Sequence, residues 1–205
     1  MFLIKQFNEG KIIIEKIKKI VIIKVYITIL LILDKRNGIM TTNTLKFMDV
    51  RFINPFIVSL VSIFKEMAGL TMEKGTLVKG QGRKLFSGYG VAIGIVGDVN
   101  GQVLYEFPEN FSQLLTETLT EKKRMEYDSE EEFEDMMRSV INEIGNTISG
   151  LAITKLSEEG ISCDITPPIL YYGKEIQIIP KNLKTIIIPF QSNIGFVSVN
   201  IAMDI

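Results

Sequence analysis

The sequence contains no histidine and a single cysteine, Cys163. Without histidine there is no Ser-His-Asp triad, no Cys-His nucleophile pair and no histidine-ligated zinc site. One cysteine cannot form an intramolecular disulfide, which fits a reducing compartment and a cytoplasmic protein. Cys163 lies in the strand-like run Ile161-Ser162-Cys163-Asp164-Ile165 and reads as an inert structural thiol. An excess of charge of either sign is also missing. The 23 basic and 24 acidic residues nearly cancel, so the basic surface expected of a nucleic-acid-binding domain is absent. The longest apolar run, Val25 to Leu33, is far short of the ~18 residues of a spanning helix. Extending it back to Ile20 puts Lys24 inside it.

What is present suits one α+β domain with some extra sequence. A chain of 205 residues, 46% of them hydrophobic, can bury a core that needs no disulfide staples. Residues 1–39 differ from the rest, being dominated by isoleucine and lysine, as in Lys11-Ile12-Ile13-Ile14. Three readings compete for them. A signal peptide lacks a small-residue cleavage site after Leu33, where Asp34-Lys35-Arg36-Asn37 follows. A membrane anchor would rest on residues 20–33. The preferred expectation is a non-native upstream extension, with Met40-Thr41-Thr42-Asn43 as the true start and residues 40–205 as the functional domain.

Within that domain, Asn54-Pro55 is expected to open a helix carrying Phe56, Leu60, Ile63, Phe64 and Met67 at helical spacing, with Gly69 as its stop. A strand is expected around Gly75 to Val78. Gly90 to Phe107 reads as a hairpin turning at Asn100-Gly101. A short helix follows over Asn110 to Leu119, then a solvated connection from Glu121 to Asp128. Ser129 and Glu132 form a capping-box pattern at the start of the longest helix, which Gly160 stops. The remainder is β-rich, with a last hairpin turning near Ser192-Asn193. The expected fold class is α+β: a largely antiparallel β-sheet packed against two long α-helices and a shorter one.

The long helix holds the informative segment, Ser139-Val140-Ile141-Asn142-Glu143-Ile144-Gly145-Asn146-Thr147-Ile148-Ser149-Gly150. Met137, Ile144, Ile148 and Leu151 are expected on its buried side. Ser139, Glu143, Asn146 and Gly150 fall on the opposite side, because positions three and four apart share a helix face. Gly145 and Gly150 each cost about 1 kcal/mol against alanine in a helix interior, and Asn146 competes with its own backbone. Small residues beside an amide and a carboxylate leave a low surface that another protein can approach. A Glu and an Asn three apart also occur by chance on many solvent-facing helices, and glycines can serve helix–sheet packing.

Glu143-x-x-Asn146 followed by Gly150 resembles the signature of the CheX/CheC/FliY phosphatases of bacterial chemotaxis. Ile53-Asn54-Pro55-Phe56 with Met67-Ala68-Gly69-Leu70, the hairpin containing Gly94, Gly97 and Gly101, Phe107-Pro108-Glu109, and Pro189-Phe190 extend the resemblance from about Val50 to the C-terminus. The first helix has no Glu-x-x-Asn, so the chain is similar to the single-site CheX branch.

The resemblance implies that the chain removes the aspartyl phosphate of a CheY-like receiver domain. Glu143 would pair with the receiver's active-site lysine, and Asn146 would orient a water in line with phosphorus. Ser139 and Gly150 would face the partner. The chain would need no cofactor of its own, the Mg2+ belonging to the receiver, and would form a homodimer, for which apolar β-segments such as Lys184 to Phe190 could supply an edge. Two other classes stay open: a non-catalytic adaptor gripping a receiver or a flagellar motor component, and a membrane-associated protein resting on residues 20–33.

Overall fold

The computed structural model describes residues 50–80, 84–178 and 184–204. The extension 1–39, its membrane-anchor reading and the start at Met40 lie outside the described residues. Among those described, no helix is long and apolar enough to cross a membrane.

The elements run α1 (Val50–Ala68), β1 (Glu73–Lys74), β2 (Val78–Gly80), β3 (Lys84–Gly97), β4 (Asn100–Phe107), α2 (Glu109–Thr120), a 3-10 turn (Arg124–Glu126), α3 (Glu130–Glu158), β5 (Cys163–Ile165), β6 (Ile169–Ile178), β7 (Lys184–Ser192) and β8 (Gly195–Asp204). Every strand pairing is antiparallel, in one eight-stranded sheet of order β1-β7-β8-β4-β3-β5. β2 also pairs with β7, and β6 with β3. The α+β class stands as expected.

The centre of the sheet follows the alternation of its apolar residues. Tyr89, Val91 and Ile93 of β3 pair with Phe107, Tyr105 and Val103 of β4, and all six are buried. They share one face, because side chains two apart on a strand point the same way. The helices pack on this face. Aromatic rings tie the layers together: Tyr105 stacks on Phe107, Phe107 on Phe111 of α2, and Phe111 meets Phe64 of α1 edge-on at 5.8 Å.

Several expectations change, among them the strand expected around Gly75 to Val78, where the chain instead forms two short strands, Glu73–Lys74 and Val78–Gly80. Residues 50–53 are already helical, so Asn54 is not a cap and Pro55 sits inside α1. Its ring forfeits one backbone hydrogen bond, and burial of Ile53, Pro55 and Phe56 holds the turn in place. Met67, expected in the buried stripe, is 46% exposed. The β3–β4 turn falls at Asp98-Val99, and Asn100 and Gly101 belong to β4. Gly101 is required by the sheet instead, since a Cβ there would stand 2.4 Å from the Ala202 carbonyl oxygen of β8. Finally, Cys163 is only partly buried, with Sγ 3.8 Å from the Val99 carbonyl.

The long helix begins where its cap pattern places it. Ser129 is extended, and its Oγ accepts the Glu132 amide at 3.1 Å. The Glu132 carboxylate accepts the Asp128 amide, one residue earlier than a standard capping box. The connection before it is mostly exposed and is held by surface ion pairs from Lys123 to Glu117 and from Arg124 to Glu130.

Candidate functional site

α3 is clamped by the face opposite Glu143 and Asn146. Phe133, Met137, Ile141, Ile144, Gly145, Ile148, Ser149, Ala152 and Leu156 are buried. Leu151, expected on that side, is only half-buried, and Ala152 takes the place against the core. The reason is the 3.6-residue period: from Ile148 the same face returns at Ala152, while Leu151 has rotated toward the flank.

Two contacts fix how deeply α3 sits. Gly145 lies directly on the sheet, and a Cβ there would fall 2.8 Å from Val91 Cγ1 and 3.4 Å from Tyr105 Cδ2. Tyr105 and Ser149 share a buried hydrogen bond of 2.8 Å. Burial pushes the Tyr105 phenol well above its ordinary range, while the Ser149 hydrogen bond opposes that shift, so at neutral pH the phenol keeps its proton. Together they lock the rotation of the helix within one turn of Glu143 and Asn146.

Glu143 is exposed and Asn146, one turn on, is half-buried beside it. Thr147 Oγ1 donates to Glu143 Oε1 at 3.2 Å, which holds the carboxylate along the helix surface. Thr147 did not stand out in the sequence, although its spacing of four residues from Glu143 was the available signal. No side-chain hydrogen bond to Asn146 is present among the described residues, so its amide is free to donate and accept toward an incoming group. Ser139 is exposed, and its Oγ donates back to the Asp135 carbonyl at 2.9 Å. Gly150 has no atom within 4 Å of where a Cβ would stand. The two helix glycines therefore differ: Gly145 is required by packing, and Gly150 leaves open surface. Beside Glu143, the ends of α1 and α2 and the middle of α3 enclose an open groove of about 490 Å³. Among the described residues, no group of three or more Cys, Asp or Glu side chains could hold a metal ion.

The arrangement is a rigid helix presenting a carboxylate and an unengaged amide on one face. Residues 89–191, which include this helix and the strands beneath it, match the family described as chemotaxis phosphatase CheX. The chain belongs to the CheX family. The CheY-P phosphatase CheX of Thermotoga maritima is 26% identical over 131 residues, covering 64% of this chain and 81% of that protein. The CheX of the CheX–CheY–BeF3–Mg2+ complex from Borrelia burgdorferi superimposes with a TM-score of 0.65 at 27% identity, over 75% of this chain and 98% of that one. A CheC-like superfamily protein from Shewanella sp. PV-4 gives 0.67 at 27%, over 77% and 99%. The single Glu-x-x-Asn pair of α3 lies within the matched span.

Proposed function

We propose that this CheX-family phosphatase hydrolyses the aspartyl phosphate of a CheY-like receiver domain, with Asn146 as the catalytic residue and Glu143 as the docking residue. The observation that carries the reading is the exposed Glu143–Asn146 pair on a helix locked by Gly145 and the Tyr105–Ser149 hydrogen bond. The CheX–CheY complex of the Borrelia burgdorferi relative supports a receiver as the partner.

The chemistry asks little of this chain beyond position. An acyl phosphate is already labile, and phosphoryl transfer depends on alignment and charge stabilisation. Water attacks phosphorus, the phosphorus–oxygen bond to the receiver's aspartate breaks, and the carboxylate leaves with its electron pair. The Asn146 side-chain carbonyl accepts a hydrogen bond from that water and its amino group is free to hold a phosphoryl oxygen, so the amide orients without titrating, and both protons of the water leave with the released phosphate. The Mg2+ that offsets phosphoryl charge belongs to the receiver, and this chain contributes no cofactor. Glu143 pairs with the receiver's lysine and sets the register of the two proteins. Ser139 and Gly150 flank the pair as partner-facing positions.

We place the reaction in the cytoplasm, where receiver domains are phosphorylated. A homodimer is proposed through β6 rather than through Lys184 to Phe190. β7 is paired with β8 on one side and with β1 and β2 on the other. β6 pairs only with β3 among the described residues and exposes Ile169, Tyr171 and Tyr172. The test of function is the lifetime of the phosphorylated receiver with substoichiometric chain added. A shortened lifetime is expected; tight binding with an unchanged lifetime would make the protein an adaptor.

A further inference from the structure

The groove shares Glu143 with the Glu-x-x-Asn pair, but its surface is mainly apolar. Its walls are Met67 from the end of α1, Leu119 from the end of α2, and Val140 and Ile144 from α3, with Ser139 and Glu143 on its rim. Met67 departs from the buried stripe of α1 and is 46% exposed at the groove wall. Ile144 forms the buried floor, Leu119 and Val140 are half-buried, and Met67 is open to water, so part of this apolar surface is a cost that burial on binding removes.

We propose that this groove seats an apolar side chain of the receiver domain and supplies the affinity that holds Glu143 and Asn146 against it. The inference rests on the receiver being the partner. The occupant follows from continuity: Ser139 and Glu143 line the groove and also belong to the face that the proposed function turns toward the receiver. A protein that covers Glu143 therefore covers the groove as well. A small metabolite fits less well, because the groove is open and its surface is mainly apolar, with Thr120, Ser139 and Glu143 as its polar lining. The site thus divides its work. The charged rim sets register, the apolar wall holds the complex, and the amide acts on the water.

The test is the affinity of the full chain for a fluorescently labelled CheY-type receiver carrying Mg2+ and beryllofluoride, followed by anisotropy. Met67→Gln keeps size and charge but loses apolar burial, and is expected to weaken binding about tenfold. Its melting temperature should stay at the wild-type value, and Met67→Leu should bind as wild type. In turnover assays Met67→Gln should raise KM about tenfold and leave kcat unchanged at saturating receiver. The loss should be equal at low and high salt, whereas a loss from Glu143→Gln should shrink as salt screens the pair. Wild-type affinity in Met67→Gln would overturn the groove assignment and leave the Glu143–Asn146 reading intact. The same holds if the variant instead shifts a monomer–dimer equilibrium, which would make a second copy the occupant. Full turnover by Asn146→Ala would overturn the catalytic reading and leave the groove's affinity result standing.

Discussion

The Tyr105 hydroxyl of β4 lies 2.8 Å from Ser149 Oγ of α3, and the bond is buried between sheet and helix. Ser149 is three residues beyond Asn146, so this bond ties the helix to the sheet one turn from that amide. Tyr105→Phe leaves the serine hydroxyl without that partner and should lower stability by about 1–2 kcal/mol. Adding Ser149→Ala to it should recover part of the loss, because both ends of the bond are then gone. Urea unfolding of the two single variants and the double variant measures this coupling.

The two glycines of α3 should respond in opposite directions. Gly145→Ala gains about 1 kcal/mol of helix propensity, but its Cβ meets Val91 Cγ1 at 2.8 Å. Overpacking of that kind costs about 1–3 kcal/mol and shifts the helix, so stability should fall and turnover with it. Gly150→Ala has open space around it and should raise stability by up to about 1 kcal/mol. If Gly150 faces the receiver, the same change should weaken receiver binding. Melting temperature and receiver affinity, measured on both variants, separate packing from docking.

Alkaline pH should unfold the domain through its buried tyrosines. Burial pushes the Tyr89 phenol from its ordinary 10.0 up to about 12 and the Tyr105 phenol higher still. Below pH 10 both phenols keep their protons folded or unfolded, so they add no pH dependence. Between pH 10 and 12 the unfolded chain releases these protons and the folded one holds them, so stability falls as pH rises. Denaturant midpoints across this range should drop, and Tyr105→Phe should make the drop shallower.

Much of α3 was legible because its signals are local. Ser129 lies three residues from Glu132, and Glu143 three from Asn146; a helix converts such spacings directly into shared faces. What escaped prediction depends on partners distant in the chain. Asn100-Gly101 has the form of a hairpin turn, yet Gly101 is needed because Ala202, about a hundred positions away, presses on it. Gly145 and Gly150 look alike in sequence, and only the position of Val91 tells them apart. Pro55 has the form of a helix start, but the residues before it continue the helix. The groove could not be read locally at all, since Met67, Leu119 and Val140 come from three different helices.

Catalysis by Asn146 on an aspartyl phosphate can be followed as phosphate loss from a phosphorylated CheY-type receiver of the same organism, with catalytic amounts of the full chain and of its Asn146→Ala variant. Faster decay is expected with the wild type, and decay at the receiver's own rate with a folded variant that still binds. Wild-type acceleration by that variant would contradict catalysis by Asn146.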